Sequence, residues 1–517
     1  MLYIMITIYN PDVKLYKKSA IEAIEDGWIS NHGKFIELST NKLNDLVKSK
    51  YSILMANGTC TTHCLFLSLK FKHPDIKKIY VPNNCYVAAW NSALMEYNIE
   101  QLEVMKMDIN TWNIYTDEEY IKSLDKNCAV LIVHNLGNII NVPRLKNMRP
   151  DLIFIEDNCE GLFGKYENIY SGMSEDSLCS SCSFYGNKII TTGEGGAFFT
   201  QHEDIYNYIK RVYSQGMSSV RYLHDVHAYN YRMTNVEAAF LYDQLNDVDN
   251  ILKNKRKIFD NYNKLFKGLI QTEKIKLFVK DHNTDNADWI FAIRLVGNTK
   301  SIDETTAFFR DAGIDIRPFF YPINKHGHLA SIENNDSISE ILNQEIIMIP
   351  SSPSITIQEQ KKVVDVVYQF IFLNQHIKII RINDSNIDIL NQFIKKIDDK
   401  HFRYFDKRTS DCILNHVVTF LFYDIIQNEY FGYTHIDYDN ESNKNWFGIY
   451  LDKLYRAKKL GNLLLNYTIH SCNLDIIHLS VDADNENAVK LYIKNGFGIE
   501  QTKNNIHYCT KYITNDI

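Results

Sequence analysis

Short apolar runs alternate with amphipathic segments between about residue 50 and residue 200, and this pattern limits the fold more than any other feature. Five of the runs are YSILMANG, KKIYVPNN, EVMKMDI, CAVLIVHN and DLIFIEDN. Such alternation is typical of a parallel sheet covered by helices. Ligands bind these sheets at the carboxyl ends of the strands. We therefore predict an α/β fold with a ligand site just after these runs.

Two structural domains are expected from the length of the chain. Its 517 residues exceed what one hydrophobic core normally serves. After residue 200 the pattern predicts a long amphipathic helix over 236–270, then strand, helix and strand over 287–322. A further helix through VVDVVYQFIF and a polar joint, LNQH, precede a new β-like run, IKIIRI. We predict one domain over residues 1–373 and a second over residues 377–517.

The composition is that of an ordinary soluble globular protein. Hydrophobic residues make up 45% of the chain and charged residues 23%, and the net charge of -7 gives no basic field for nucleic acid. No apolar run approaches the roughly 20 residues that cross a bilayer, and the N-terminus lacks a secretory pattern. We expect a cytoplasmic protein with small ligands, no nucleic-acid partner and no membrane contact.

The ten cysteines form neither a disulfide framework nor a metal site by their spacing. Cys179 and Cys182 make a C-x-x-C motif, but no second Cys or His pair lies at zinc spacing. We expect buried free thiols at this motif and no bound metal.

Three chemically distinct side chains follow the last of the apolar runs. Asp157 ends DLIFIED, and Ser183 and Lys188 begin and end SFYGNK, which precedes a glycine-rich GEGG. A carboxylate for a pyridine nitrogen, a hydroxyl for a phosphate and a lysine that forms a Schiff base are the groups that pyridoxal phosphate requires. The sequence therefore predicts a pyridoxal phosphate site, with helix capping as the alternative role of Asp157.

Two further segments fit the same cofactor. Asn57, Gly58 and Thr59 precede a helical pattern, so their amides would face an anion, although Asn-Gly is also the commonest turn dipeptide. Tyr86 follows the run KKIYV and could stack on a planar ring, or serve as core. We predict phosphate binding at the first segment and ring stacking at the second.

Taken in order, the segments of residues 27–353 resemble the DegT/DnrJ/EryC1/StrS sugar aminotransferases, which have the aspartate aminotransferase fold (fold type I). The matching segments are GWIS, ANGT, NCYVA, EDNCEG, SFYGNK, GEGG, YNYRMTNVEAA and IRPFF. The resemblance implies that Lys188 binds the cofactor covalently and shuttles a proton. It also implies that Glu160 lies near the ring hydroxyl. Asn230 would reach the phosphate of a neighbouring subunit, which implies a homodimer.

The resemblance also implies a substrate class. Such enzymes aminate nucleotide-linked keto sugars, usually with glutamate as donor, and SFYGNKIITTGEGG is most similar to the branch that acts at C4 of a 4-keto-6-deoxyhexose. Lys188 argues against the related dehydratases, in which histidine replaces this lysine. Asn158, Cys159 and Cys60 depart from the usual small residues, and we expect them to alter packing around the ring.

A second set of residues lies in the C-terminal part. YRAKKLGNLLLNYTIHSC predicts a turn that opens a helix, and its exposed amides suit a pyrophosphate, although a solvated basic helix start is the alternative. The segment resembles the acetyl-CoA loop of GNAT N-acetyltransferases, except that Lys459 replaces the first glycine. The predicted pyrophosphate-binding residues are Arg456, Lys458, Gly461 and Asn462.

The segment IHLSVDADNENAVKLYIKNGF resembles the strand and helix that follow in the same family. By this resemblance Asn487 would contact the CoA arm, and Tyr492 would protonate the departing thiolate. His435 and Asp437 are candidates for a general base, but we expect them to form a surface pair.

Transamination followed by acetylation forms a chemically sensible series. Our hypothesis is a bifunctional enzyme in which a fold type I aminotransferase domain is followed by a GNAT-type α/β domain. The whole enzyme would make a nucleotide-linked 4-acetamido-4,6-dideoxy sugar. In one alternative only the aminotransferase works and the C-terminal domain binds a partner or stabilises a dimer. In another, the acetyltransferase acts on an unrelated amine.

Overall fold

The computed structural model describes residues 5–220, 222–397, 415–456 and 458–513. The chain divides into two compact units. The first comprises Met1–Asp260, Leu277–Arg294 and Gly313–Ile355, and the second comprises Asn261–Lys276, Leu295–Ala312 and Thr356–Ile517. The joint expected at residues 373–376 comprises the end of a helix and the two residues before a strand, all within the second unit, and the division into domains at this joint stays a prediction.

The helices of the described residues are numbered in chain order. They are α1 Lys18–Glu25, α2 Lys34–Val47, α3 Gly58–Lys72, α4 Ala88–Leu94, α5 Glu118–Ser123, α6 Val142–Met148, α7 Glu203–Val212, α8 Asn235–Asn246, α9 Val248–Leu265, α10 Lys267–Gln271, α11 Ile302–Asp311, α12 Ser337–Glu345, α13 Ile357–Asn374, α14 Ile387–Ile394, α15 Leu460–His470 and α16 Glu486–Lys494. Within the described ranges, each is too short or too polar to cross a lipid bilayer.

The strands are numbered in the same way. They are β1 Tyr51–Met55, β2 Ile79–Pro82, β3 Leu102–Met105, β4 Ala129–Val133, β5 Ile153–Asp157, β6 Lys165–Tyr166, β7 Ile169–Tyr170, β8 Ser177–Ser183, β9 Gly196–Thr200, β10 Ile275–Lys276, β11 Thr284–Asp285, β12 Ala292–Leu295, β13 Arg317–Pro318, β14 Ile346–Met348, β15 Ile377–Arg381, β16 His416–Asp424, β17 Glu429–Asp439, β18 Lys444–Leu451, β19 Ile476–Asp482, β20 Gly498–Lys503 and β21 Ile506–Tyr512.

A seven-stranded sheet forms the centre of the first unit, in the order β1-β9-β8-β5-β4-β2-β3. Strand β9 is antiparallel to both its neighbours, while β8, β5, β4, β2 and β3 are parallel. Along β4, Val130 and Ile132 belong to one hydrophobic cluster, and Leu131 and Val133 to another. Both faces of the sheet are therefore covered, which explains why the strand is apolar at every position.

A second seven-stranded sheet lies in the second unit, in the order β15-β16-β17-β18-β19-β21-β20. Its strands are antiparallel except β18 and β19, which run parallel. Within their described residues these two strands pair only at Trp446 and His478. Because parallel strands that stop pairing diverge, the sheet opens between β18 and β19.

The expected elements are confirmed with one correction. The five runs form β1 to β5, the pattern over 287–322 forms β12, α11 and β13, and the C-terminal runs form β15 and α13. The single helix predicted over 236–270 is wrong, because α8, α9 and α10 replace it. At the first break Asp247 leaves helical geometry (φ -112°, ψ 13°), and its carboxylate accepts a hydrogen bond from Tyr16 at 2.9 Å.

Candidate active sites

The residues of the first site lie together at the carboxyl ends of three strands of the first seven-stranded sheet, β1, β8 and β5. Ser183 at the end of β8 pairs with Gly196 at the start of β9, and Gly196 pairs with Met55 at the end of β1. Asp157 at the end of β5 pairs with Ser181 of β8. The sheet register therefore brings the predicted carboxylate, hydroxyl and Asn57–Gly58–Thr59 segment to one edge.

The phosphate corner is built on the first turn of α3. The Asn57 side chain caps the helix by accepting a hydrogen bond from the Cys60 amide at 2.9 Å. A side chain on Gly58 would place its Cβ 2.8 Å from Cβ of Ser183 and 2.9 Å from its Oγ. Only glycine therefore lets the helix start approach the serine hydroxyl, and amides and hydroxyl together form a cradle for an anion.

The ammonium group of Lys188 lies close to a buried carboxylate and to an aromatic ring. Its Nζ is 3.9 Å from Oε1 of Glu160 and 3.9 Å from the ring centroid of Trp289. The Glu160 carboxylate accepts a hydrogen bond from the Leu136 amide at 2.8 Å. Burial raises the pKa of Glu160 to about 7, against the opposing effect of the Lys188 charge. Glu160 can therefore exchange a proton near neutral pH.

Two residues that fix the lysine segment were missed by sequence reasoning. The Trp289 indole donates a hydrogen bond to the Asn187 carbonyl at 2.7 Å. The Tyr9 hydroxyl donates one to the carbonyl of Lys188. Neither residue lies in a recognisable motif, and both contact the lysine loop only through tertiary folding, so no local signal could have identified them.

The residues that depart from the usual pattern around Asp157 are accommodated by hydrogen bonds. Asp157 is 7% exposed and accepts a hydrogen bond from the Cys159 amide at 3.1 Å. Asn158 donates to the Ser171 carbonyl at 2.9 Å and accepts from the Ser171 hydroxyl at 2.9 Å. Burial raises the pKa of the Cys159 thiol well above its usual range. The expected buried free thiols, Cys179 and Cys182, both lie in β8.

The last two predicted residues of this site are exposed in the single chain. Tyr86 is 62% exposed, and its ring centroid is 6.4 Å from that of Phe320. Asn230 is also exposed and accepts a hydrogen bond from the Arg232 guanidinium at 2.9 Å. Their roles toward a cofactor stay predictions.

The arrangement fits pyridoxal phosphate. The glycine-dependent cradle at Gly58 and Ser183 is an anion site, and the buried Asp157 carboxylate suits a protonated ring nitrogen. Lys188 and Glu160 lie together at the same sheet edge. Gly58 and Ser183 would hold the phosphate of the cofactor and Asp157 its ring. Lys188 and Glu160 would lie at its reactive carbon.

The second site is a cavity of about 970 Å³ in the second unit, between the diverging strands β18 and β19 and the helices that follow them. Its lining includes Arg456, Gly461, Asn462, Asn487 and Tyr492. Five of the six predicted coenzyme A residues therefore face one space. The sixth, Lys458, is not among the described lining residues; its Nζ lies 5.0 Å from the ring centroid of Tyr455.

The pyrophosphate loop keeps the geometry of a glycine loop despite Lys459. Lys459 caps α15 with a left-handed backbone (φ 60°, ψ 3°), and its ammonium pairs with Glu273. A non-glycine residue adopts this conformation at a cost of about 1–2 kcal/mol. A Cβ on Gly461 would lie 3.5 Å from the Leu491 side chain, an ordinary contact, so packing within the described residues does not require glycine at this position.

Tyr492 lies on α16 and is 7% exposed. Burial raises the pKa of its phenol, which therefore stays protonated at neutral pH. A buried, protonated phenol facing the cavity can act as a proton donor.

His435 and Asp437 are not the surface pair that we expected. His435 is 6% exposed, and both residues line the cavity. Nε2 of His435 lies 3.3 Å from Oδ2 of Asp437. The expectation failed because the YTHIDY strand is covered on the side that carries His435, which an alternating pattern alone does not reveal.

Two family models match the chain. The DegT/DnrJ/EryC1/StrS aminotransferase family matches residues 12–368, and the GNAT acetyltransferase family matches residues 387–497. The chain therefore belongs to the DegT/DnrJ/EryC1/StrS aminotransferase family and carries a C-terminal GNAT acetyltransferase domain. Its cofactor is pyridoxal 5′-phosphate, and the GNAT domain uses acetyl-CoA.

Characterised relatives agree with this assignment. The GDP-perosamine synthase of Escherichia coli O157:H7 is 30% identical over 355 residues, which cover 68% of this chain and 94% of that protein. The GDP-perosamine synthase of Vibrio cholerae is 29% identical over 375 residues, which cover 69% of this chain and 97% of that protein. Both matches leave about a third of this chain uncovered.

Solved structures confirm the aminotransferase fold. PseC of Helicobacter pylori, an aminotransferase involved in the biosynthesis of pseudoaminic acid, has a TM-score of 0.61 and 17% identity, and the match covers 71% of this chain and 98% of PseC. A DegT DnrJ EryC1 StrS aminotransferase from Brucella abortus has a TM-score of 0.60 and 18% identity, with coverage of 69% and 95%.

Proposed function

We propose that the chain is a bifunctional nucleotide-sugar enzyme. The first domain aminates C4 of a nucleotide-linked 4-keto-6-deoxyhexose with glutamate as donor, and the GNAT domain acetylates the new amine. One observation carries this proposal: the same chain has a lysine–carboxylate site at a sheet edge and, separately, a cavity of about 970 Å³. Because the relatives are GDP-perosamine synthases, GDP is the nucleotide that we expect.

The first site distributes the tasks of transamination among its residues. When bound, pyridoxal phosphate supplies an electron-withdrawing ring and a carbon that carries nitrogen from donor to acceptor. Asp157 holds the ring nitrogen in its protonated form, and Ser183 with the amides of Gly58 and Thr59 holds the phosphate. Lys188 Nζ delivers the proton to C4 of the sugar. Glu160, 3.9 Å away, keeps a proton available to that amine.

The second site binds acetyl-CoA beside an acceptor amine. The amides at the start of α15 and the Arg456 guanidinium hold the pyrophosphate, and Asn487 contacts the CoA arm. Tyr492 gives its proton to the departing thiolate. The amides of β18, where the sheet opens, stabilise the oxygen of the reacting carbonyl.

The enzyme works as a homodimer through its aminotransferase domain. Trp28, Tyr222 and Leu223 are 59%, 74% and 54% exposed in the single chain, as is typical of a surface that another subunit covers. Asn230 lies in the same exposed segment as Tyr222. This supports the prediction that Asn230 serves the phosphate site of the neighbouring subunit.

The transamination is tested with purified full-length protein, pyridoxal phosphate and glutamate. GDP-, UDP- and dTDP-linked 4-keto-6-deoxyhexoses are supplied separately, and the products are identified by mass spectrometry. We expect a 4-amino sugar from the GDP-linked ketone and none with Lys188→Ala. Loss of the 3-hydroxyl group, with the 4-keto group retained and no nitrogen gained, would instead indicate a dehydratase.

A further inference from the structure

We propose that the acceptor amine binds in the GNAT cavity at a three-residue cluster, His416, Asp437 and His435, and that His435 takes its proton. The ligand class is a primary amine that arrives as an ammonium ion. This inference rests on the proposed acetyltransferase function and adds the missing general base to it.

Asp437 lies between the two imidazoles of the cluster. His416 lies opposite Asp437 in the register of β16 and β17, and its Nε2 is 2.9 Å from Oδ1 of Asp437. Nδ1 of His416 and the Thr419 hydroxyl form a hydrogen bond. The Thr419 hydroxyl therefore helps to fix the His416 ring beside the Asp437 carboxylate.

The second carboxylate oxygen and the His435 ring converge on the cavity. Oδ2 of Asp437 lies 3.3 Å from Nε2 of His435, and both residues line the cavity wall. A carboxylate and an imidazole at the wall of one cavity offer an ammonium ion a group that attracts its charge and a group that can take its proton.

The cluster lies where the sheet opens to admit the thioester. Asp437 pairs with Trp446, the residue at which β18 last pairs with β19. His435 pairs with the next residue of the same face, Gly448. A Cβ on Gly448 would lie 2.2 Å from Cε1 and 2.7 Å from Nε2 of His435. Glycine therefore lets the imidazole lie flat on β18 beside the opening.

The proton balance of the step follows from these positions. The ammonium gives one proton to the His435 imidazole, which passes it to solvent. The free amine attacks the thioester carbonyl carbon, so that a C–N bond forms and the C–S bond breaks. The thiolate takes a proton from Tyr492, and the second proton lost by the nitrogen replaces it. The products are an amide and coenzyme A.

The test compares variants of the full-length protein in acetyl-CoA binding and amine acetylation. His435→Gln should lower kcat for acetylation about 100-fold at neutral pH, with recovery as pH rises because the amine deprotonates in solution. Asp437→Asn should raise KM for the amine about tenfold, the usual effect of losing one charged contact. Gly448→Ala should lower kcat by displacing the ring.

His507→Gln is the matched control, because His507 pairs with Thr502 and is not part of the cluster. Among the described residues, the other charged side chains on the cavity wall are Asp439, Arg456, Lys459, Lys490 and Lys494. They are unchanged in every variant, and acetyl-CoA titration by calorimetry reports whether the cavity stays intact.

Each outcome decides between the two proposals. If the wild type acetylates the 4-amino sugar and His435→Gln does so equally well at every pH, the cluster is not the base and the proposed function stands. If the wild type acetylates only an unrelated primary amine and His435→Gln abolishes this, the proposed sugar acetylation is wrong and the cluster stands. Acetyl-CoA binding with no acetylation of any amine overturns both.

Discussion

At the scale of single residues, the aminotransferase site depends on one buried carboxyl group whose protonation is poised near neutral pH. Burial holds the pKa of Glu160 at about 7, whereas its usual value is 4.5. The folded state therefore binds this proton more tightly than the unfolded chain, so the Glu160 carboxyl group adds most to the free energy of unfolding at low pH. This contribution is lost as the pH rises from about 4.5 to about 7.

Glu160→Gln should remove this pH dependence. Gln keeps an acceptor for the Leu136 amide but cannot ionise. In the cofactor-free protein, the free energy of unfolding of the wild type should fall relative to the variant by roughly 3 kcal/mol across that window. Denaturant unfolding at several pH values measures it, with the exposed Glu25→Gln as control. Parallel curves for wild type and Glu160→Gln would contradict the account.

Those residues of the first site that belong to local sequence motifs could be predicted. Asp157, Ser183 and Lys188 lie at or just after the ends of strands, and the pattern of apolar residues is enough to predict where strands end. Trp289 is 102 residues from its hydrogen-bond partner Asn187, and Tyr9 is still farther from Lys188. Contacts of that range depend on the packed fold, which no local pattern reports.

At the scale of elements, the starts of two helices decide whether anions can bind. Helix α3 begins against Ser183 and needs glycine for steric reasons, whereas α15 begins with Lys459 in a conformation that favours glycine. The strands and both helix starts were predicted, because binary patterning and turn residues are local signals. The break at Asp247 was not, because its carboxylate is held by Tyr16, 231 residues away.

Gly58→Ala should weaken binding of pyridoxal phosphate by about 10- to 100-fold. The added Cβ would lie 2.8 Å from Cβ of Ser183, and such overpacking costs about 1–3 kcal/mol. Cofactor titration followed by absorbance measures the effect. Gly327→Ala is the control, since no atom lies within 4 Å of its Cβ position. Equal affinity in Gly58→Ala and wild type would show that this helix start does not hold the phosphate.

Lys459→Gly should stabilise the second unit by roughly 1 kcal/mol, because glycine adopts the left-handed backbone without steric cost. The exposed ion pair with Glu273 contributes little against this. Calorimetric unfolding of the full chain measures the shift. Lys458→Gly, one residue earlier and outside the left-handed position, should destabilise instead. A loss of stability in both variants would mean that the loop does not strain the lysine.

At the scale of the whole molecule, the proposed dimer predicts that two inactive variants complement each other. Lys188→Ala leaves no active site of its own but supplies an intact Asn230, and Asn230→Ala does the reverse. A mixed dimer then contains one complete site. With random mixing, half of the dimers are mixed, so about a quarter of wild-type transamination should return. No recovery in co-expressed variants would mean that Asn230 acts within its own subunit.

The two domains were recognisable from sequence because each carries several motifs in order. His435 and Asp437 were candidates for a general base from the sequence, but their place in a cavity wall was not predicted, because a His and an Asp on one strand resemble a surface pair until the neighbouring strands are in place. His416 and Gly448 belong to β16 and β18, so the cluster exists only in the folded sheet.

The most direct test of the central claim is product analysis of one reaction with and without acetyl-CoA. Full-length protein is incubated with GDP-4-keto-6-deoxyhexose, glutamate and pyridoxal phosphate, and acetyl-CoA with a labelled acetyl group is added to half of it. We predict a 4-amino sugar in the first half and a sugar carrying one labelled acetyl group on nitrogen in the second. The same unacetylated amine in both halves would contradict a bifunctional enzyme.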